Sequence, residues 1–315
     1  MTAPLTRVAA AVIFRADGQV LLAQRPPGKV YEGFWEFPGG KLEPGESPRA
    51  ALDRELLEEL GLRVRRAAPW LVQRFVYPHA HVELHFFRVF AWDGDPVGHD
   101  GQAFAWQTPG RLDVAPLLPA NTLVLRSLTL PPVYAITMAA TVGEAAMLAR
   151  ARLAFAAGLR LVQVREKGWP RDRQRAFAAA LRDLARPQGA RVLLNGDEDD
   201  ARAWGLDGVH WTAARLASAT ARPDDLVCAA SCHTAAEVAR AGALSLDFAV
   251  LGPVRPTPTH PDAPAMGFDG FARAVEGTTL PVYALGGLSR ADLPAAIDAG
   301  AHGIAAIRGA WPALR

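Results

Sequence analysis

GKLEPGESPRAALDRELLEELGL, residues 40–62, is the stretch whose reading decides what this chain is. Ser47 followed by Pro48 predicts a helix start, a side-chain acceptor at the N-cap and then a ring that needs no amide partner. The helix should run to about Leu60 and stop at Gly61. Within it Glu55, Glu58 and Glu59 are three and four positions apart and share one face. Leu52, Leu56 and Leu60 form an adjacent stripe that can bury. Arg54 stands four before Glu58 and can pair with it. Carboxylates crowded on one face repel each other. Either the face is simply solvated, or a hard divalent cation that prefers oxygen ligands joins the acids. The loop Pro38-Gly39-Gly40 ahead of the helix, whose backbone can approach a ligand closely, and Glu46 upstream favour the cation.

The stretch resembles the Nudix box, G-x5-E-x7-R-E-U-x-E-E-x-G-U with U apolar. Gly40, Glu46, Arg54, Glu55, Leu56, Glu58, Glu59, Gly61 and Leu62 fill its fixed positions. The resemblance implies Mg²⁺, with Mn²⁺ as the substitute, held by Glu55, Glu58, Glu59 and the Gly39 carbonyl. It places Glu55, Glu58 and Arg54 in the catalytic machinery, with Arg54 orienting the glutamates. Which glutamate is the base stays open.

With 315 residues the chain is long for one domain and natural for two. Half of it is hydrophobic, so each half can bury a core, and a formal charge of +2 argues against a broad nucleic-acid or membrane surface. The two cysteines, Cys228 and Cys232, cannot make a disulfide framework and read as buried small residues. Val8–Phe14 is too short for a membrane span and reads as a first strand, so a cytoplasmic enzyme is expected.

Along the first half, Val8–Phe14 and Val20–Gln24 read as strands joined by a turn at Asp17-Gly18. Trp70–Tyr77 and His81–Ala91 read as strands turning near Pro78. Ala103–Gln107 is a short strand, and Pro116–Ser127 a loop entering a closing helix. Residues 5–128 resemble the MutT-type 8-oxo-dGTP diphosphatases, through the segment from Glu36 to Lys41, the Gly94-Asp95-Pro96 turn, Gly101-Gln102, Trp106 and Pro119-Ala120-Asn121. That resemblance makes Asn121 the residue that recognises the oxidised base, an amide with both a donor and an acceptor. It sets Arg25 and Phe37, with Gly40, at the nucleotide. A helix N-cap for Asn121 and an ordinary surface charge for Arg25 are the alternatives. Two positions depart from the family: Ala105 replaces an acid before the Trp, leaving Glu83 as a candidate stand-in, and Ala80 replaces an Arg.

Pro131-Pro132 marks a boundary, giving a Nudix domain over 1–129 and a second domain over 132–315. Beyond it apolar strands alternate with alanine-rich helical stretches, beginning at Val133, Leu161, Arg191, Gly208, Leu226, Phe248, Pro281 and Gly303. They predict a (β/α)8 TIM barrel, so the fold class is α/β, a mixed Nudix sheet sandwiched by helices and then a barrel. Polar residues and glycines gather at the strand ends, where barrels place their sites. The second half resembles thiamine-phosphate synthase. QVREK at 163–167 matches its pyrimidine-diphosphate segment, GPVRPTPTHPD at 252–262 its thiazole-phosphate loop and LGG at 285–287 its phosphate glycines. The candidate ligand residues are Gln163, Arg165, Lys167, Asn195, Thr257, Thr259, Gly286 and Gly287. The departures fall on the chemistry. Asn195-Gly196 stands where the family has Asn-Asp, with Asp197 one place late, Trp211-Thr212-Ala213-Ala214 where it has a Gln–Asp element, and His260 where it has a lysine. Those acids hold Mg²⁺ on the diphosphate, so the barrel reads as a phosphate-ligand binder that has lost synthase activity.

The expected function is therefore Mg²⁺-dependent hydrolysis of 8-oxo-dGTP to 8-oxo-dGMP and diphosphate, sanitising the nucleotide pool. The partners expected are a small nucleotide substrate and a thiamine-pathway phosphate in the barrel, with neither membrane nor direct nucleic-acid binding. The alternatives are a Nudix hydrolase for a thiamine-pathway diphosphate, and a barrel that retains synthase activity.

Overall fold

The helix expected after Ser47 runs over Pro48–Leu60 (α1) in a computed structural model that describes residues 5–98, 101–257 and 264–314. The Ser47 side chain accepts from the Ala50 amide at 3.2 Å, and Gly61 closes the helix at φ 68, its N–H turned back to Leu57. Leu52, Leu56 and Leu60 are fully buried. At about 1.5–3 kcal/mol each, they fasten α1 to the sheet beneath it.

The chain divides into two units, Met1–Thr129 and Leu130–Arg315. The first contains β1 (Leu5–Ile13), β2 (Val20–Gln24), β3 (Trp35–Glu36), β4 (Gly39–Lys41), β5 (Arg63–Tyr77), β6 (Ala80–Asp93) and β7 (Phe104–Gln107). A 3₁₀ turn, Pro119–Asn121, leads into α2 (Thr122–Ser127). One sheet has the order β4-β1-β6-β5 and the other β3-β2-β7. The first is mixed, because β1 runs parallel to β6 and antiparallel to β4.

The turn at Asp17-Gly18 forms, but β1 and β2 are not a paired hairpin. They meet at a single bridge, Phe14 with Val20, and then enter different sheets. The apolar run Ala9–Ile13 explains this. Ala9, Ala11 and Ile13 pack under α1, and Ala10 and Val12 pack on the opposite face with Phe37, Tyr77, Phe86 and Ala120. A strand buried on both faces belongs inside a sheet. β5 starts well ahead of Trp70, because the polar run after Arg63 pairs with the end of β6 through register shifts.

The second unit carries β8 (Val133–Ile136), β9 (Leu161–Val164), β10 (Arg191–Leu194), β11 (Gly208–Trp211), β12 (Val227–Cys232), β13 (Phe248–Leu251), β14 (Val282–Leu285) and β15 (Gly303–Ala306). They close into a parallel barrel through the pairing of β15 with β8. Around them run α3 (Ala139–Val142), α4 (Glu144–Ala156), α5 (Arg171–Ala185), α6 (Glu198–Ala203), α7 (Ala213–Ser218), α8 (Ala235–Ala243), α9 (Gly267–Val275) and α10 (Leu293–Asp298). Tyr134, Phe248 and Tyr283 meet edge-on or tilted inside the barrel, with ring centroids 5.1–5.9 Å apart, and fill its interior.

Candidate functional site

Arg54 is the hub of the first site. Its Nε and Nη2 donate to the two carboxylate oxygens of Glu46 at 3.1 and 2.9 Å, and Nη2 also donates to the Lys41 carbonyl at 3.0 Å. Its Nη1 donates to Glu55 at 2.9 Å and to Glu58 at 3.3 Å. The hydrogen bonds that Arg54 donates to Glu46 and Glu55 raise its pKa, and Arg54 in turn holds the Glu46 carboxyl below the usual range. Glu46 is eight residues from Arg54, so the loop before α1, not the helix, brings it there.

The glycines at 39 and 40 are required for different reasons. At Gly39 φ is 145, and an added Cβ would lie 2.1 Å from the Ala9 carbonyl oxygen, so β4 can reach β1 only with glycine there. At Gly40 a Cβ would lie 2.0 Å from the carboxyl carbon of Glu55, so the missing side chain is the cradle of that carboxylate.

The donor chemistry of Glu55, Glu58, Glu59 and the Gly39 carbonyl suits a hard cation. Arg54 ties Glu55 and Glu58 together on this face of α1. Among the described residues no group of three or more His, Cys, Asp or Glu side chains is placed to hold a metal ion. The guanidinium of Arg54 serves as counter-charge to Glu55 and Glu58. Glu83, raised as a stand-in for the acid missing at Ala105, accepts from Arg74 at 2.9 Å and lies 3.1 Å from His85 and 3.4 Å from Arg7, so two arginines already engage it.

The opposite face of the sheet carries a separate apolar cluster. Phe37 is buried edge-on to Phe86, 5.8 Å between centroids, in the same apolar cluster as Tyr77, Leu118 and Ala120. Asn121 is 2% exposed. The N-cap alternative fails, because its side chain makes no cap hydrogen bond. Its Nδ2 has no hydrogen-bond partner among the described residues. Arg25 is not an open surface charge either: its Nη1 donates to Glu36 at 2.6 Å and its Nε to the Val30 carbonyl at 2.7 Å. Burial pushes the Glu36 carboxyl up in spite of Arg25, and pushes the Tyr77 hydroxyl up to about 12.

In the second unit a cavity of about 440 Å³ opens at the C-terminal ends of the strands. Gln163, Arg165, Thr257, Gly286 and Gly287 line it. At Gly286 and Gly287 the backbone passes so close to the loop after β13 that a Cβ would meet Pro253 at 2.7 Å and the Pro256 carbonyl at 2.8 Å. Lys167 is exposed and Asn195 is turned aside, its Nδ2 donating to the His210 carbonyl at 2.9 Å, and neither is among the lining residues. Thr259 lies outside the described residues. Cys228 and Cys232 are buried, and burial pushes both thiols up to about 12.

Two features of the barrel were not among the expected site residues. The Glu166 carboxylate accepts from the Ala139 and Ala140 amides at 2.8 and 2.7 Å and so fixes the start of α3. His210 is 2% exposed and spans the barrel top, with Nδ1 3.2 Å from the Tyr134 hydroxyl and Nε2 2.9 Å from Ser231. Burial first, then Arg165, hold its pKa down to about 3, so the ring is neutral. A histidine alternating with apolar residues in Gly208–Trp211 was the available signal, because an inward polar group in a barrel strand needs partners.

Comparison with known proteins finds a family for each unit. The NUDIX domain family matches residues 9–127, and the thiamine monophosphate synthase family matches residues 133–310. An 8-oxo-dGTP diphosphatase of Haemophilus influenzae is 37% identical over 41% of this chain and 94% of its own length. A CTP pyrophosphohydrolase of Escherichia coli is 40% identical over 39% of the chain and 90% of its own. A thiamine-phosphate synthase of Mycobacterium bovis is 36% identical over 53% of the chain and 80% of its own. The chain thus belongs to the Nudix hydrolases through its first unit and to the thiamine monophosphate synthase family through its second.

Proposed function

We propose that the first unit hydrolyses oxidised purine nucleoside triphosphates, splitting 8-oxo-dGTP into 8-oxo-dGMP and diphosphate. The observation that carries this reading is the amide of Asn121. A buried donor without a partner is unfavourable by about 1–3 kcal/mol, and a carbonyl on a bound base would relieve it. Its Oδ1 can accept from a neighbouring N–H, and 8-oxoguanine presents both kinds of group on one edge. Phe37 and the apolar cluster behind it offer the base a dry wall. The Haemophilus relative is named for this activity, and the Escherichia relative makes CTP the competing substrate.

Glu55, Glu58 and Glu59, with the Gly39 carbonyl, would hold Mg²⁺ or Mn²⁺. When bound, such an ion offsets phosphate charge and favours the hydroxide form of a bound water. Arg54 keeps Glu55 and Glu58 in register with the loop through Glu46. One glutamate accepts the proton of the attacking water. The water oxygen bonds to phosphorus as the phosphoanhydride bond between the α- and β-phosphates breaks, leaving 8-oxo-dGMP and diphosphate. Turnover of 8-oxo-dGTP, dGTP and CTP, measured side by side as diphosphate release, tests the assignment. Equal slow turnover of 8-oxo-dGTP and dGTP would remove it.

For the barrel we infer a phosphate-ligand binder of the thiamine pathway that does not carry out the synthase step. Gly196 and Thr212-Ala213-Ala214 replace the family's acids after β10 and β11, and Asp197, one place late, is exposed at the start of α6. The nearby Glu198 is engaged by the Trp211 indole at 2.8 Å and by Arg215 at 3.0 Å. Gln163, Arg165, Thr257, Gly286 and Gly287 remain for the ligand, with Lys167 and Asn195 in the adjoining loops. Titration of the whole chain with thiamine phosphate should release or take up heat, and silence would count against binding. Synthase turnover would rule out the non-catalytic reading.

A further inference from the structure

Tyr31 is held at φ 60, a left-handed conformation that a bulky side chain rarely adopts. Gly28 and Gly33, its neighbours in the same loop, take positive φ without strain. The loop is fastened on all sides. The Arg25 side chain donates to the Val30 carbonyl, Gln24 donates to the Gly33 carbonyl at 2.9 Å, and the Gly28 amide donates to Glu32 at 3.0 Å. So constrained, the loop lays the Tyr31 ring among aromatic neighbours, with centroids 5.1 Å from Phe34, 5.4 Å from Tyr77 and 5.8 Å from His79. Tyr31 is half-buried and His79 exposed, so these rings stand at the mouth of the apolar cluster. Tyr77 in turn lies beside the Ala120 backbone, next to Asn121. Backbone strain maintained by surrounding structure clusters at active sites and ligand clamps.

We propose that Tyr31 is a specificity-determining residue, the stacking wall of the nucleobase pocket, and that Arg25 is the positioning residue that holds its loop. The inference deepens the nucleotide-hydrolase reading and rests on it. A base that reaches the Asn121 amide places its π-face against these rings, and a two-ring purine covers more of them than a pyrimidine does. The substrate class this favours is purine nucleotides.

Three variants of the full chain test it: Tyr31→Gly, which removes the ring and relaxes the backbone, Tyr31→Ala, which removes the ring and keeps the strain, and Tyr31→Phe. The readouts are calorimetric affinity for 8-oxo-dGMP and for dGMP, and the split between KM and kcat with the triphosphates. Loss of a base–aromatic stack predicts about a tenfold or greater loss of affinity for Tyr31→Gly and Tyr31→Ala. The loss should fall in KM, and Tyr31→Phe should recover most of the affinity. Tyr31→Gly should melt at or above the temperature of Tyr31→Ala, so weak binding by a well-folded Tyr31→Gly cannot be ascribed to unfolding. Tyr31→Gly binding as tightly as the parent overturns the proposal, as does no measurable purine affinity in the parent. If the parent binds dGMP as well as 8-oxo-dGMP, the oxidised-base reading fails, while the wall still stands or falls on the loss in Tyr31→Gly.

Discussion

Gly40→Ala isolates the cradle under Glu55 from the fold around it. The new Cβ would lie 2.0 Å from the Glu55 carboxyl carbon and 2.1 and 2.3 Å from its oxygens, where ordinary contact begins near 3.4 Å. The carboxylate must therefore retreat by about 1.4 Å, the difference between 3.4 and 2.0 Å. It sits at the end of a flexible side chain, so the sheet need not move. The Arg54–Glu55 bond is lost, worth about 1 kcal/mol for a partly exposed charged pair, while Arg54 retains Glu46. Alanine in place of a strand glycine returns about 0.5–1 kcal/mol, so global stability should hardly change. Activity should fall, because a misplacement of about 1 Å costs about a hundredfold, equivalent to about 2.7 kcal/mol of transition-state stabilisation. Diphosphate release at saturating Mg²⁺, with urea midpoints on the same samples, separates the two effects. A variant with kcat/KM within about twofold of the parent would show that the Glu55 position does not matter. Gly39→Ala is the contrast, since its Cβ would strike the Ala9 backbone at φ 145, and it should lower the urea midpoint as well.

Asn121→Leu removes a buried amide donor that has no partner, so it should leave stability unchanged or slightly raised while lowering kcat/KM for 8-oxo-dGTP about tenfold or more. Thermal melts and the ratio of 8-oxo-dGTP to dGTP turnover check both halves. Chelation should abolish diphosphate release and added Mg²⁺ restore it, and Glu58→Gln should stay impaired at every Mg²⁺ concentration. Cleavage that persists in the chelated protein would refute the metal role. The buried His210, whose pKa burial holds down to about 3 against about 6.5 for a free imidazole, stabilises the barrel fully above about pH 6.5. Because the unfolded chain binds more protons than the fold below that pH, this stability should drain away as pH falls from 6.5 toward 3. His210→Gln, which still offers a donor and an acceptor to Tyr134 and Ser231, should flatten that slope in denaturation measured at pH 7 and 4.5.

What the residues alone determined was local or periodic. The helix between Ser47 and Gly61 is written in its caps and leucine spacing, and the barrel in apolar runs recurring with helical stretches between them, because both patterns arise from contacts a few residues apart. The motif spacing likewise placed Glu55, Glu58 and Arg54 on one helix. Tertiary structure alone decided which groups then meet. It parted β1 from β2, closed Arg54 on Glu46 across the loop, and set Glu55 against the bare α-carbon of Gly40. It also turned the Asn195 amide to the His210 carbonyl, drew Arg25 inward to Glu36, and held Tyr31 at a positive φ among rings from β5 and its turn. The physical reason is common to all of these. Strand partners and buried polar pairings are chosen by competition among groups distant in the chain, for which no sequence spacing carries a signal.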